Sequence, residues 1–322
     1  MGCSLRDLKV LGDPHLGRAF LNNVPLHRRG ERERLVWERF RQELDPQGAK
    51  VHVCMGDLFD QPVVPLKVIR DAAITYQEAA RANSTTEYVV LRGNHDASRD
   101  LEAVSAFDIF KGLVGATTNI SIVDSVDMKT VDGTTLAFFG WSPLIPAADL
   151  IKQVLVKDGI AFGHWDVDLR SDPFNQIPTK ELAAQGFVKA YTGHVHLPQT
   201  FTRNGVEVAV TGSMLPYAHD QDPTGETYVT LTLDDVRAAG AGALKDKCVR
   251  IKLKQGEVFD AQIDCLHLQV EHEAIEQQTI DVSIEEFDLQ KLFSDVLVDH
   301  QVPTDIQTKV RDEWTRRFMS RQ

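Results

Sequence analysis

Apolar residues in this chain gather into short runs that stop at a glycine. Residues 8–11, 51–55, 88–91, 159–162 and 188–192 all have this form. A short continuous apolar run bounded by turn residues is the mark of a strand covered on both faces. Between the first three runs the period is helical. Leu35, Val36, Phe40 and Leu44 mark one face of a helix over about 31–44, which Asp45-Pro46 stops. A second helix is expected over roughly 65–81. Strands alternating with helices predict an α/β fold.

After residue 120 the pattern alternates. Ile122, Val126 and Met128 are interleaved with polar residues, and Asp132-Gly133 signals a hairpin before residues 135–139. The stretch 120–141 is therefore expected to be antiparallel. A helix is expected near 147–156, and Asn204-Gly205 marks a further hairpin. Beyond Asp235 a small-residue connector, 238–243, leads to Val249, Ile251 and Leu253 alternating with Arg250, Lys252 and Lys254. That reads as a half-buried strand, with more strand-like sequence over 259–270. Near the C-terminus, Phe287, Phe293, Val296 and Leu297 would line one helix. Ile306, Val310, Trp314 and Phe318 would line another, with Val302-Pro303 between them. The expected organisation is a main domain over 1–235, a small capping region over 236–285 and a helical hairpin over 286–322.

Charge and cysteine usage narrow the function. The formal net charge of −12 argues against a simple basic DNA-binding module. It leaves room for a phosphate-handling enzyme, because bound divalent cations reverse the local sign of a carboxylate-rich site. No apolar run is long enough to span a membrane, and the start lacks a signal-peptide pattern. The four cysteines have no Cys-x-x-Cys spacing, so neither a thiolate zinc site nor a disulfide framework is expected. A cytoplasmic location is the expectation.

The chemistry lies where the apolar runs end. Gly12-Asp13-Pro14-His15, Gly56-Asp57, Gly93-Asn94-His95-Asp96, Gly163-His164 and Gly193-His194-Val195-His196 each place a glycine before polar residues. Gly93 is expected to permit a sharp turn through backbone angles that other residues avoid. Any one motif alone is a weak signal, better read as a polar turn, a capping carboxylate or a separate core histidine. Five in order outweigh that reading, because open α/β sheets place ligand sites at strand C-terminal ends. The donors are oxygen and nitrogen only, which suits Mn, Fe or Zn better than Mg or Ca. Their number suffices for two ions, as in phosphoryl-transfer centres whose metals lie about 3.5–4 Å apart. The basic cluster His27-Arg28-Arg29 is either a solvated surface or a contact for a phosphate backbone.

In this order the motifs resemble the calcineurin-like metallophosphoesterases over roughly the first 235 residues. Asp-Pro-His-Leu-Gly, Gly-Asp-Leu-Phe-Asp and Gly-Asn-His-Asp, with Thr211-Gly212-Ser213 late, look most like the SbcD-type DNA-repair nucleases, closest to the compact phage recombination endonuclease subunits. The resemblance implies an α/β four-layer αββα sandwich with a small α/β cap and a C-terminal helical hairpin. It implies two divalent metal ions, manganese above all. Asp13, His15, Asp57 and His196 would hold one. Asp57 would bridge to the second, completed by Asn94, His164 and His194. His95 would act on the phosphate and Asp96 would orient His95. The implied activity is DNA exonuclease and endonuclease cleavage. The implied partners are DNA, an SbcC-like coiled-coil ATPase gripped by the C-terminal helices, and a second copy in a homodimer. Two rivals stay open. One is an enzyme for a small phosphodiester or phosphomonoester, against which the apolar tail helices argue. The other is a non-catalytic scaffold that binds DNA ends, against which the complete ligand set argues.

Overall fold

The computed structural model describes residues 7–98, 100, 103–168, 174–240, 242–273, 296–297 and 303–318. It divides into two units, 1–273 and 274–322.

The first unit opens with β1 (Leu8–Leu11), α1 (Glu31–Glu43), β2 (Val51–Cys54), α2 (Leu66–Ala82), β3 (Glu87–Leu91), α3 (Ala106–Val114) and β4 (Ile120–Val123). The four strands form one sheet in chain order, and all pairs are parallel. The strand β4 corrects the antiparallel expectation for 120–141. It pairs in parallel with β3, and only the next two strands, β5 (Val126–Val131) and β6 (Thr134–Phe139), form the hairpin around Asp132-Gly133. Alternation showed that each strand buries one face more than the other, but not which neighbour it would pair with.

A second, six-stranded sheet follows, ordered β5-β6-β7-β8-β10-β9. It adds β7 (Gly159–Gly163), β8 (Phe187–Thr192), β9 (Gln199–Arg203) and β10 (Val206–Val210), with α4 (Ala147–Ile151) and α5 (Thr179–Ala184) as connections. Period-2 alternation fixes the layers. Val51, Val53, Met55, Val89, Leu91 and Val123 of the first sheet meet Leu136, Phe138 and Phe162 of the second in one buried cluster. The opposite faces are covered by helices. Tyr88 and Val90 pack with Phe40 of α1, Tyr76 of α2 and Phe110 of α3, while Ala161 and Ala190 pack with Ile151 of α4 and Leu182 of α5. The order helix, sheet, sheet, helix is the four-layer sandwich expected.

A third sheet joins β11 (Tyr228–Thr232), β12 (Cys248–Leu253) and β13 (His267–His272), all parallel, with α6 (Leu233–Ala238) after β11. A boundary at 235 would cut β11 from the strands it pairs with, so this third sheet begins earlier than the composition shift suggests. Of the strand-like stretch 259–270, only its end is strand. Val249, Ile251 and Leu253 are buried as the alternation predicts.

The loop before α1 clasps this third sheet. Arg28 is 5% exposed, hydrogen-bonds Glu31, and donates from Nη1 to Asp264 Oδ1 at 2.7 Å. The Leu268 amide donates to the Asn23 carbonyl at 2.8 Å. This corrects the reading of His27-Arg28-Arg29 as a nucleic-acid contact. The buried Arg28 is spent on the Glu31 and Asp264 carboxylates, while His27 and Arg29 are exposed. Arg28→Ala is expected to lower unfolding free energy by about 1–3 kcal/mol, the usual worth of charge-assisted bonds of this kind. Denaturant unfolding measures this.

In the second unit the described part is α7 (Thr304–Phe318), with a short helical piece at 296–297. Ile306 and Val310 are exposed on α7. The first arm of the expected hairpin lies otherwise outside the described residues. No described helix is long and apolar enough to cross a membrane.

Candidate metal centre

The C-terminal ends of β1, β2 and β3 in one sheet and of β7 and β8 in the other deliver their polar residues to one place. Asp13 and His15 follow β1, Asp57 follows β2, and Asn94 follows β3. His164 follows β7, and His194 and His196 follow β8. Three of these hold left-handed backbone angles: His15 at φ 47°, Asp57 at φ 48° and His194 at φ 74°. Such angles cost free energy in non-glycine residues and gather where a site demands a particular side-chain direction.

The glycines act differently from the expectation. Gly93 lies outside the left-handed region. What excludes a side chain there is space, since a Cβ would stand 2.2 Å from both the Asp57 amide nitrogen and Asp57 Oδ1. At Gly193 a Cβ would stand 2.5 Å from Asp13 Oδ1. These glycines let the strand ends close on the carboxylates.

Two sets of donor atoms result. Asp13, His15 and His196 converge, and so do Asp57, His164 and His194. In the first, His15 Nε2 and His196 Nε2 are 3.0 Å apart, and His196 Nε2 is 3.8 Å from Asp13 Oδ2. In the second, Asn94 Oδ1 lies 2.9 Å from His164 Nε2 and 2.8 Å from His194 Nδ1. Asp57 Oδ2 stands between the sets, 3.9 Å from His15 Nε2 and 3.3 Å from His164 Nε2.

The donors fit a pair of divalent cations. Asp13 is fully buried, and its Oδ1 has no hydrogen-bond partner, a costly state for a carboxylate oxygen. Burial drives the Asp13 carboxyl well above its ordinary pKa. Burial also pushes His15 down to about 3 and His194 to about 4, so both rings are neutral and able to ligate. His164 goes the other way. Burial would lower it, but the Asp57 and Asp13 carboxylates outweigh that and hold it up at about 10. The buried carboxylates therefore draw a proton onto His164, and a divalent cation would supply that positive charge in its place. The His164 ring is fixed for this, with Nδ1 donating to the Met55 carbonyl at 2.9 Å and Nε2 facing the cluster.

His95 stands apart from both sets. Its ring is exposed and lies edge-on to His15 at 5.0 Å between centroids. Its Nδ1 meets the Asp60 carbonyl at 2.6 Å, and its amide donates to Asp57 Oδ1 at 2.8 Å. A carbonyl only accepts, so Nδ1 carries the hydrogen and Nε2 is left to face a ligand.

Asp96 corrects the expected pairing with His95. It is fully buried and accepts main-chain hydrogen bonds from Leu58 at 3.2 Å, Phe59 at 2.9 Å and Gly93 at 2.9 Å. Burial and the nearby Asp57 charge raise its pKa to about 7 against those three amides. Asp96 thus ties the β2 and β3 turns together, and Asp60 orients His95. The residue type was legible, but the partner depended on which way the turn pointed the carboxylate.

Sequence reasoning left Asp60 undecided between supporting and capping roles, and missed Tyr217. Asp60 Oδ1 lies 3.6 Å from His15 Nδ1, which has no hydrogen-bond partner. Tyr217 is buried, its hydroxyl donates to the Pro14 carbonyl, and its ring meets His15 edge-on at 5.4 Å. No pattern near Tyr217 signals this, because its neighbours in space come from the other end of the chain.

A four-layer αββα sandwich with two sets of side chains at its strand ends that could hold metal ions is the arrangement of a metal-dependent phosphoesterase. The chain belongs to the calcineurin-like phosphoesterases: the family model matches residues 8–198, more than half of its length. No curated protein matches it. Among solved structures it is similar to a phosphopantetheinyl hydrolase from Mycobacterium tuberculosis, at 12% identity and TM-score 0.39, covering 65% of this chain and 90% of that one. It is also similar to GAP50, an anchor in the inner membrane complex of Plasmodium, at 14% identity and TM-score 0.36, covering 64% and 71%. A third similar structure is TT1561 of Thermus thermophilus, at 12% identity and TM-score 0.39, covering 64% and 89%.

Proposed function

We propose that this phosphoesterase hydrolyses DNA phosphodiester bonds, as exonuclease and endonuclease, with manganese as its metal. In this reading it is the nuclease subunit of an SbcC–SbcD-type complex. The observation that carries the hydrolytic part is Asp57 Oδ2, set between two converging donor sets. Asp13, His15, Asp57 and His196 would hold one ion, and Asp57, Asn94, His164 and His194 the other. Bound there, the ions would supply Lewis acidity and neutralise charge on a phosphoryl group. The chain's own residues do the rest. His95 lines the cleft, and with Nδ1–H held by the Asp60 carbonyl it would give a proton from Nε2 to a departing oxygen in its doubly protonated, imidazolium form. Asp60 holds that ring, and Asp96 keeps the two turns in register.

The cleft over the site, about 380 Å³, is lined by Asp57, His95, His194, His196, Leu197 and Asp220 among others. The DNA assignment is supported by the motif resemblance to SbcD-type nucleases. The coiled-coil ATPase is supported by Ile306 and Val310, exposed one helical turn apart on α7. The second copy of a homodimer is supported by Leu66 and Ile74 on α2 and Leu113 on α3, exposed on helices that pack together.

Purified protein freed of metal by a chelator is expected to cleave no DNA. Manganese is expected to restore cleavage of linear and circular DNA, more so with the ATPase and ATP. Turnover of a chromogenic diester with none of any DNA, with or without the ATPase, refutes the nuclease assignment and leaves the small-substrate enzyme.

A further inference from the structure

The cleft poses an electrostatic problem for a polyanionic substrate. Its lining carries the carboxylates of Asp57 and Asp220 and, among the described residues, no lysine or arginine. The metals would serve the phosphate undergoing hydrolysis, but its neighbours along a backbone would meet acid. Arg18 reaches this site through Asp60, whose Oδ1 is 3.5 Å from its Nη1. Arg18 follows the Asp13-His15 turn through Gly17, whose φ of +90° bends the chain there. Its guanidinium lies 5.0 Å from the centre of the Tyr217 ring. The same ring meets His15 at 5.4 Å and His196 at 6.1 Å, so Arg18 is one side chain removed from two ligands of the first set.

The way Arg18 is held leaves it able to bind. It pairs with Asp60 through one terminal nitrogen at 3.5 Å, longer than a good hydrogen bond. Its Cζ lies over the Tyr217 ring. The donors along its edge are the part that recognises phosphate, and its side chain is 35% exposed. Asp60 and Tyr217 fix its position, and both are themselves anchored at the metal site.

We propose that Arg18 binds a substrate phosphate next to the one being hydrolysed, and so makes this site favour a polynucleotide backbone over a small diester. The inference rests on the DNA reading above. The test compares wild type, Arg18→Met and Arg18→Lys, all full-length and manganese-loaded, on an oligonucleotide and on bis(p-nitrophenyl) phosphate over a range of salt. Arg18→Met is expected to raise KM for the oligonucleotide by about ten- to hundredfold and to flatten its logarithmic salt dependence by about one unit. Its effect on the small diester is expected to be at least about tenfold weaker, since that substrate has no second phosphate. Arg18→Lys is expected to recover part of the loss, keeping the charge without the planar edge.

Equal losses on both substrates together with lower bound manganese would mean that Arg18 only supports Asp60 and the ligands, and would overturn the proposal. So would an unchanged oligonucleotide KM. Wild type decides the prior question separately: if it turns over the diester and no DNA, the nuclease reading fails, and the backbone contact fails with it.

Discussion

Asp57→Asn is expected to remove hydrolysis almost completely, by on the order of a thousandfold or more, equivalent to about 4 kcal/mol of barrier. In the proposed arrangement Asp57 would be the ligand common to both donor sets. Its Oδ2 faces His15 on one side and His164 on the other, while Oδ1 accepts the His95 amide. An asparagine matches the shape but brings no charge, and half of its terminal group donates where cations require acceptors. The loss should therefore appear in binding as well as in rate. Bound manganese is expected to fall from two equivalents to one or fewer, and the rise in Tm that manganese gives the wild type is expected to shrink. A variant that keeps both equivalents and its thermal response would show that Asp57 is not the shared ligand.

His95→Ala is expected to separate catalysis from metal binding. The ring is exposed, belongs to neither donor set, and is held by the Asp60 carbonyl. Removing it should leave two manganese equivalents in place and lower kcat by roughly a hundred- to ten-thousandfold, the usual worth of a placed proton donor. The loss should be smaller on a diester whose leaving group is a good one, such as nitrophenolate, because that oxygen needs less help from a proton. Loss of manganese in this variant would make His95 a ligand instead. Equal losses on both kinds of leaving group would make it a binding group and not an acid.

The two variants probe parts of the site that differ in how they could be known. Asp57 and His95 both stand in short motifs after strand-end glycines, and their residue types alone pointed to chemistry. The Asp96 carboxylate stands in the same tripeptide as His95, yet it turns inward to three amides. A sequence gives the order of groups along a turn, whereas the side each one faces depends on what packs behind it. The same limit explains Arg28. A basic triplet reads as surface until Asp264, far along the chain, arrives to pair with it.

The sequence by itself determined the α/β alternation, the apolar strands, the hairpin at Asp132-Gly133 and the residue types gathered in the two candidate donor sets. These follow from local period and from residue chemistry, which survive in any arrangement of the chain. Tertiary structure alone decided that β4 joins the first sheet and that β11 belongs with the third. It alone placed Asp57 between the two donor sets, gave His95 to Asp60 and brought Tyr217 under Arg18. Each of these depends on contacts between residues distant in sequence, set by how two sheets pack face to face, and no local pattern carries that information.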